Sequence, residues 1–337
     1  MKKVALVGLG FMGKMHYDVY SQRKDAKVYA IAEQDKRKLK GDWSSISGNI
    51  KGNKPAAVNL KGIKMVADYH ELIGDKNIDW VDICLPTFMH KKVASDFLKA
   101  GHNVLVEKPV CPTLKDAREL LSLKNKNKGT FMIAQCIRFW PGWNWAAEAI
   151  KKKKYGKVMH ASFKRVSPPV LGWKSWFRDP NKSGGALLDL HIHDVDFIRW
   201  VFGKPQKILA SGRKGKTGIS HIYASYLYKG FTVCAEGGWD MPASYPFNMY
   251  FSIVCEKATL EYDLSKNPPF TVFLNGGKTI IPKIKTTTGW QEEIDYFISL
   301  IKGNKKQTFI KDREVLDTLA IIEKEKQSII TGKLKGF

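Results

Sequence analysis

The stretch Val4-Ala5-Leu6-Val7-Gly8-Leu9-Gly10-Phe11-Met12-Gly13 decides the fold of this chain. Its apolar opening predicts a buried strand, which passes directly through spaced glycines into a segment with helical periodicity. Gly8 permits a tight turn, Gly10 lets the backbone approach a pyrophosphate, and Gly13 lets helix and strand pack closely. The free N–H groups at a helix start suit phosphate oxygens. The stretch therefore predicts a dinucleotide site that includes Phe11 and Met12.

Outward from this stretch, apolar runs alternate with helical segments as far as Ala134. The runs are nearly continuous, which is typical of strands covered on both faces, and they read VALVG, VYAIA, DWVDICLP, NVLVEKP and TFMIAQ. Strand–helix alternation predicts a doubly wound parallel sheet. We assign residues 1–134 to an α/β Rossmann domain, in which residues 40–61, rich in Gly, Ser, Asn and Lys, form an inserted surface loop.

From about Gly156 the order changes, because strand-like segments follow one another with turn residues between them. Such succession is typical of an antiparallel sheet with one exposed face. Helical periodicity covers Gly184–Phe202, Trp290–Lys302 and Asp312–Thr331. We assign residues 135–337 to an α+β domain with a large, mostly antiparallel open sheet that binds substrate and mediates oligomerisation. The exposed face predicts a homodimer or homotetramer.

The formal net charge of +24 raises the question of nucleic acid, but the lysines are spread along the whole chain rather than clustered. We therefore expect no nucleic-acid partner. Apolar runs stay well short of ~20 residues, and the N-terminal one is too short for a signal peptide, so we expect a cytoplasmic protein without a membrane partner. The five cysteines form no metal-binding spacing, which favours reduced thiols and no metal site.

Glu33 lies at the end of the second predicted strand, twenty residues after Gly13. A carboxylate there can accept both ribose hydroxyls of an adenosine and repel a 2′-phosphate. Gln34, rather than arginine, follows it, although Lys36 and Arg37 are near. The pattern favours NAD over NADP.

Three further motifs accompany the glycine-rich stretch. They are Pro86-Thr87 with His90, then Glu107-Lys108-Pro109, and finally Gly184-Gly185 followed by Asp189, His193 and Asp196. Together with the glycine-rich stretch they resemble the glucose–fructose oxidoreductase/inositol dehydrogenase (Gfo/Idh/MocA) family over nearly the whole chain. His191 departs from the family pattern, in which glycine is often found.

The resemblance implies that Lys108 reaches the substrate near the nicotinamide, that His193 serves as acid and base, and that Asp189 holds a substrate hydroxyl. The spacing agrees independently, since Asp189, His193 and Asp196 would project from one face of a single helix. His191 would point to another face, and we assign it no catalytic role.

The remaining candidates surround this set. The same resemblance implies cofactor contacts in the loops that follow the later strands, at Pro86, Thr87, His90, Glu107, Lys108 and Gln135. Substrate contacts are expected from Lys108, Arg138, Asp189 and His193, and from Trp173 and Trp176, whose aromatic faces suit the apolar side of a sugar ring. Core packing remains the alternative for both tryptophans.

The resulting hypothesis is a dehydrogenase that transfers hydride between NAD(H) and a hydroxyl carbon of a sugar, inositol or sugar derivative. Two alternatives remain open at this point. One is a glycosidase that uses tightly held NAD for transient oxidation and elimination. The other is a non-catalytic dinucleotide-binding regulator, which the presence of Lys108, Asp189 and His193 disfavours.

Overall fold

The computed structural model describes residues 1–48, 57–170, 173–304 and 308–337. The chain forms two compact units. The first comprises Met1–Ala134, Leu171–Trp176 and Glu293–Ile310, and the second comprises Gln135–Val170, Phe177–Glu292 and Lys311–Phe337. Two later segments thus return to the first unit, although the sequence analysis assigned them to the second domain.

The first unit is built on a six-stranded parallel sheet with the order β3-β2-β1-β4-β5-β6. Its strands are β1 (Lys2–Val7), β2 (Ala26–Ala32), β3 (Lys64–Val66), β4 (Trp80–Ile83), β5 (Asn103–Glu107) and β6 (Phe131–Ala134). The strand order is that of dinucleotide-binding folds. Most of β1, β4 and β5 is buried, as covered parallel strands require. The predicted doubly wound sheet is confirmed.

Of the predicted helical segments, Trp290–Lys302 and Asp312–Thr331 are found with ends that differ by at most one residue. The first unit contains α1 (Phe11–Ser21), α2 (Lys36–Leu39), α3 (Thr87–Lys99) and α4 (Leu114–Asn125). Further along the chain are α5 (Trp143–Lys151), α6 (Pro180–Ser183), α7 (Gly185–Asp189), α8 (Ile192–Phe202), α9 (Gly289–Ile301) and α10 (Asp312–Thr331). No helix in the described ranges is both long and apolar enough to cross a bilayer.

The second unit contains a nine-stranded sheet, ordered β14-β13-β12-β11-β7-β10-β9-β8-β15. Its strands are β7 (Val158–Val166), β8 (Lys207–Gly215), β9 (Gly218–Tyr228), β10 (Phe231–Gly238), β11 (Asn248–Cys255), β12 (Ala258–Asp263), β13 (Phe270–Leu274), β14 (Thr279–Ile280) and β15 (Lys335–Gly336). Only the β7–β10 pair is parallel. Strict alternation of burial along β11 and β12 marks a sheet with one open face, as predicted.

The predicted continuous helix over Gly184–Phe202 is wrong, because α7 ends at Asp189 and α8 begins at Ile192. The break follows from the burial of His191. The N–H of His191 donates to the carbonyl of Ala186, five residues back. The fully buried ring packs against Gly237, where an added Cβ would lie only 2.6 Å from Nδ1 of the ring. Asp189 and His193 therefore lie on two different helices.

The proposed surface loop over residues 40–61 falls partly on residues 49–56, which lie outside the described residues. The rest is not wholly exposed. Trp43 and Ile46 are buried, and Asp42 pairs with Ala57 in an isolated antiparallel bridge.

Candidate active site

The glycine-rich turn joins β1 to α1, and its glycines are required for different reasons. Gly8 has φ +95°, and a Cβ there would lie 2.9 Å from the carbonyl oxygen of Cys84. A Cβ on Gly13 would lie 2.1 Å from the carbonyl oxygen of Gly8. Gly10 differs, because a Cβ there would have no neighbour within 4 Å among the described residues. Packing therefore explains Gly8 and Gly13, whereas Gly10 borders open space at the start of α1, which fits a bound pyrophosphate.

Glu33 follows β2 directly and is bound to this turn. Its Oε2 accepts the backbone N–H of Leu9 at 2.8 Å, and its Oε1 accepts the backbone N–H of Asp35 at 2.9 Å. A carboxylate offers about four lone-pair sites, so both oxygens can still accept ribose hydroxyls. The geometry fits the adenosine ribose of a dinucleotide.

Lys38 is a residue of this site that sequence reasoning missed. The sequence analysis weighed Lys36 and Arg37 as cations near Glu33. The ammonium of Lys38 instead lies 2.9 Å from the carbonyl oxygen of Leu9 and 3.7 Å from Glu33 Oε2, and the residue is 6% exposed. Asp35 could have indicated the position of Lys38, because it caps the short helix α2 in which Lys38 is buried.

The loop after β4 contains Pro86, Thr87 and His90. Pro86 precedes α3, and Thr87 and His90 are buried. His90 Nδ1 lies 2.8 Å from the carbonyl oxygen of Pro109, and Nε2 lies 2.7 Å from that of Leu85. Burial lowers the pKa of His90. The ring therefore braces the loops after β4 and β5, and its polar atoms are turned to backbone rather than to a ligand.

Lys108 follows β5 at the carboxyl end of the parallel sheet, where open α/β sheets bind their ligands. It is half-buried, between the buried residues Glu107 and Pro109. Its backbone N–H donates to Glu107 Oε2 at 3.0 Å. Glu107 is 5% exposed, so it supports the lysine backbone from inside the unit rather than facing solvent.

In the second unit, Asp189 ends α7 and His193 lies in the first turn of α8. Both are half-buried, whereas Leu188, Leu190 and Asp194 next to them are buried. The break between the helices places both polar residues near one bend of the chain, although not on the single helix face that the sequence predicted.

Asp196 and Arg138 form a buried ion pair. Arg138 Nε donates to Asp196 Oδ2 at 2.7 Å, and a second guanidinium nitrogen donates to Oδ1 at 2.8 Å. The remaining guanidinium nitrogen donates to Glu314. The expected substrate contact of Arg138 is therefore corrected, because the guanidinium is fully buried and bonded to two carboxylates of its own unit.

The other predicted contacts are placed as follows. Gln135 comes directly after β6 and is 3% exposed. Trp176, in the first unit, is half-buried, and its ring centroid lies 6.5 Å from that of Phe88. The side chain of Trp173 lies outside the described part of the structure. A sugar-stacking role for the tryptophans stays a prediction.

The comparison with known families agrees with these features. Residues 2–135 match the oxidoreductase family with an NAD-binding Rossmann fold, and residues 143–261 match the GFO/IDH/MocA C-terminal domain. The fold and the glycine-rich turn thus define an oxidoreductase with an NAD-binding domain. The chain belongs to the Gfo/Idh/MocA family, as its motifs predicted.

Characterised relatives are similar at low identity. Myo-inositol 2-dehydrogenase of Thermotoga maritima is 27% identical over 213 residues, covering 62% of this chain and 58% of that protein. Trans-1,2-dihydrobenzene-1,2-diol dehydrogenase of Mus musculus is 29% identical over 220 residues, covering 64% and 58%. The chain thus spans little more than half the length of these relatives. The structure of GenD2 from gentamicin A biosynthesis, in complex with NAD, shares the fold with a TM-score of 0.81 at 19% identity, covering 100% of this chain and 96% of that one.

Proposed function

We propose that the protein is an NAD-dependent dehydrogenase that transfers hydride between nicotinamide and a hydroxyl carbon of a sugar, an inositol or a sugar derivative. The observation that carries this proposal is the position of Lys108 at the carboxyl end of β5, in the same unit as the open space beside Gly10. A cation at that edge of the sheet lies where ligands of such folds bind. The relatives that act on inositol and on a ring diol support the substrate class.

Each residue of the proposed set has a separate task. Bound NAD supplies the hydride acceptor. The imidazole of His193 accepts the proton of the reacting hydroxyl, because an imidazole is suited to proton transfer near neutral pH. The Lys108 ammonium donates a hydrogen bond to the same oxygen and stabilises the negative charge that develops there. Asp189 accepts a hydrogen bond from a substrate hydroxyl and fixes the orientation of the ring.

The proposed preference for NAD rests on Glu33. Its carboxylate would accept the ribose hydroxyls and repel a 2′-phosphate. Lys38, 3.7 Å from Glu33 Oε2, offsets part of that repulsion. We therefore expect NADP to bind more weakly than NAD but not to be rejected completely.

We also propose that the second unit mediates self-association as a homodimer or homotetramer. Leu209, Tyr223 and Phe273 are between 42% and 56% exposed, and each alternates with buried neighbours along its strand. They therefore lie on the open face of the sheet, and an exposed apolar face favours association. Light scattering of the purified protein measures the oligomeric state directly, and a monomer would contradict this proposal.

The experiment that tests the main proposal is steady-state NADH formation with a panel of inositols, hexoses, uronates and nucleotide sugars. We expect sustained turnover with one class, and loss of turnover without loss of NAD binding in Lys108→Met and His193→Ala. Lys115→Met and His160→Ala, at exposed positions, are the matched controls and should retain turnover. NAD binding without turnover on the whole panel would contradict the proposal, and reduced cofactor retained without net turnover would favour the glycosidase.

A further inference from the structure

Glu107, which supports the backbone of Lys108, belongs to a buried polar cluster inside the first unit. The cluster brings together His16 of α1, Asp82 of β4, Glu107 of β5 and Glu293 of α9. His16, Asp82 and Glu293 are 0% exposed. None of these three residues was singled out by the sequence analysis.

One side of the cluster is fully hydrogen-bonded. His16 Nδ1 lies 2.8 Å from Asp82 Oδ2, and the hydroxyl of Tyr20 donates to the same oxygen at 2.7 Å. Although burial alone would lower the pKa of His16, the adjacent Asp82 carboxylate raises it well above its usual value. The Asp82 carboxylate thus favours the imidazolium form of the buried His16 ring.

On the other side of the cluster, Nε2 of His16 lies close to carboxylate oxygens of Glu107 and Glu293. His16 Nε2 lies 3.3 Å from Glu107 Oε1 and 3.8 Å from Glu293 Oε1. These three atoms and Glu293 Oε2 are buried and have no hydrogen-bond partner within the described residues. Unpaired polar atoms at such burial are costly, so the convergence of four of them requires a bridging species.

A proton on Glu293 satisfies this requirement. Asp82 already accepts from His16 and Tyr20, and Glu107 accepts from the Lys108 N–H, whereas neither oxygen of Glu293 has a donor among the described residues. Keeping three buried carboxylates ionised beside one imidazolium would carry a large desolvation free energy. Burial and then the charge of Glu107 raise the pKa of Glu293 well above its usual value.

We propose that Glu293 is a neutral acid whose proton, together with the His16 imidazolium, holds the Glu107 carboxylate in place and thereby positions Lys108. Glu107 is the link, since Oε1 lies 3.3 Å from His16 Nε2, Oε2 accepts the Lys108 N–H at 3.0 Å, and a carboxylate oxygen of Glu107 lies within 4.8 Å of one of Glu293. His90 holds the following residue, Pro109, through its carbonyl. The lysine backbone is thus held on both sides. His16 and Glu293 are positioning residues, and this role in turnover rests on the proposed dehydrogenase function.

The protonation state is tested without any reaction. Infrared spectra of the wild type at neutral pH should contain the carbonyl stretch of a protonated buried carboxyl group, and Glu293→Gln should remove it. Its absence from the wild type would overturn the proposal. Elemental analysis of the protein purified without chelator should find no stoichiometric metal; a divalent cation bound by His16, Glu107 and Glu293 would overturn it equally.

The positioning role is tested with two variants of one residue. The amide of Glu293→Gln can still donate to Glu107 Oε1, so its kcat should stay close to that of the wild type. Glu293→Leu has no donor, and a displaced lysine should lower kcat by about 100-fold with little change in KM for NAD. If Glu293→Leu does not fold, loss of kcat in Glu293→Gln alone would overturn the proposal.

A readout independent of activity separates failure of this inference from failure of the proposed function. Reductive ¹³C-methylation labels lysine amines, and Lys108→Met identifies the Lys108 resonance by its disappearance. That resonance should shift in Glu293→Leu but not in Glu293→Gln, whether or not a substrate is known. An unchanged resonance in folded Glu293→Leu would reduce the cluster to a purely structural role and overturn the inference.

Discussion

The carboxylate of Glu33 accepts the backbone N–H of Leu9 at 2.8 Å, which binds the end of β2 to the glycine-rich turn. This contact fixes the carboxylate beside the loop that approaches the cofactor. A hydrogen bond from a backbone N–H restrains the side chain before any ligand binds. The ribose contact proposed for Glu33 would therefore use a carboxylate that is already held in place.

Glu33→Ala should weaken NAD binding about 10- to 100-fold, because hydrogen bonds to a charged group contribute about 1.5–3 kcal/mol. Loss of the negative charge should also narrow the difference between NAD and NADP. Fluorescence titration with NADH and NADPH measures both effects. Adding Lys38→Met should lower NADPH affinity again, and an unchanged cofactor preference in Glu33→Ala would show that the ribose contact is misplaced.

Gly10→Ala should leave the fold intact and impair the cofactor site. Gly10 has φ −82°, which alanine adopts readily, and its Cβ would meet no atom within 4 Å in the part of the chain that the structure describes. The methyl group would instead occupy space that the pyrophosphate needs, raising the Kd for NAD at least about tenfold, which corresponds to 1.4 kcal/mol. Calorimetry should show wild-type stability.

Gly13→Ala is the matched contrast to Gly10→Ala. Its Cβ would lie 2.1 Å from the carbonyl oxygen of Gly8, so we expect a loss of about 1–3 kcal/mol in the free energy of unfolding. Equal stability of the two variants would contradict the distinction between a packing glycine and a cofactor glycine.

Arg138→Met should destabilise the second unit by about 3–5 kcal/mol, because it leaves the buried Asp196 carboxylate without its cation. Urea unfolding measures the change. Lys152→Ala is the control, since its partner Glu148 is 51% exposed and such surface pairs contribute at most about 1 kcal/mol. A loss of less than about 1 kcal/mol in the free energy of unfolding of Arg138→Met would indicate that Asp196 takes up a proton instead.

The stability of the protein should fall with rising pH through Glu293. Its pKa in the folded state lies well above the usual 4.5, so unfolding releases a proton between the two values. In that window the free energy of unfolding of the wild type should decrease by about 1.4 kcal/mol per pH unit relative to Glu293→Gln. His16, whose pKa is also raised, contributes with the same sign but is present in both proteins. A constant difference across pH would show that Glu293 is ionised when folded.

The sheets could be predicted well from the sequence because most of their strands have a local hydrophobic pattern. The parallel strands of the first unit are continuous apolar runs, and the succession of strand-like segments predicted after Gly156 corresponds to the strands from β7 to β13. The short strands β3, β14 and β15 were missed, since two or three residues give no periodicity.

The sequence could not predict contacts that depend on distant packing. The break before α8 arises where His191 packs against Gly237, which no local pattern records. Arg138 was expected near substrate, yet its partner Asp196 is 58 residues away in the chain. The strand, the glycine-rich turn and the helix at the start of the chain could be predicted because they are contiguous, whereas His16 and Glu293 come from opposite ends of the sequence.

Because Glu293–Ile310 belongs to the first unit, it bears on where the protein can be divided into separately expressed fragments. A separately expressed fragment 1–134 would contain every strand of the Rossmann sheet. It would nevertheless lack Phe297, whose ring centroid lies 6.4 Å from that of the fully buried Trp80. Such a fragment would leave an aromatic surface uncovered and should aggregate.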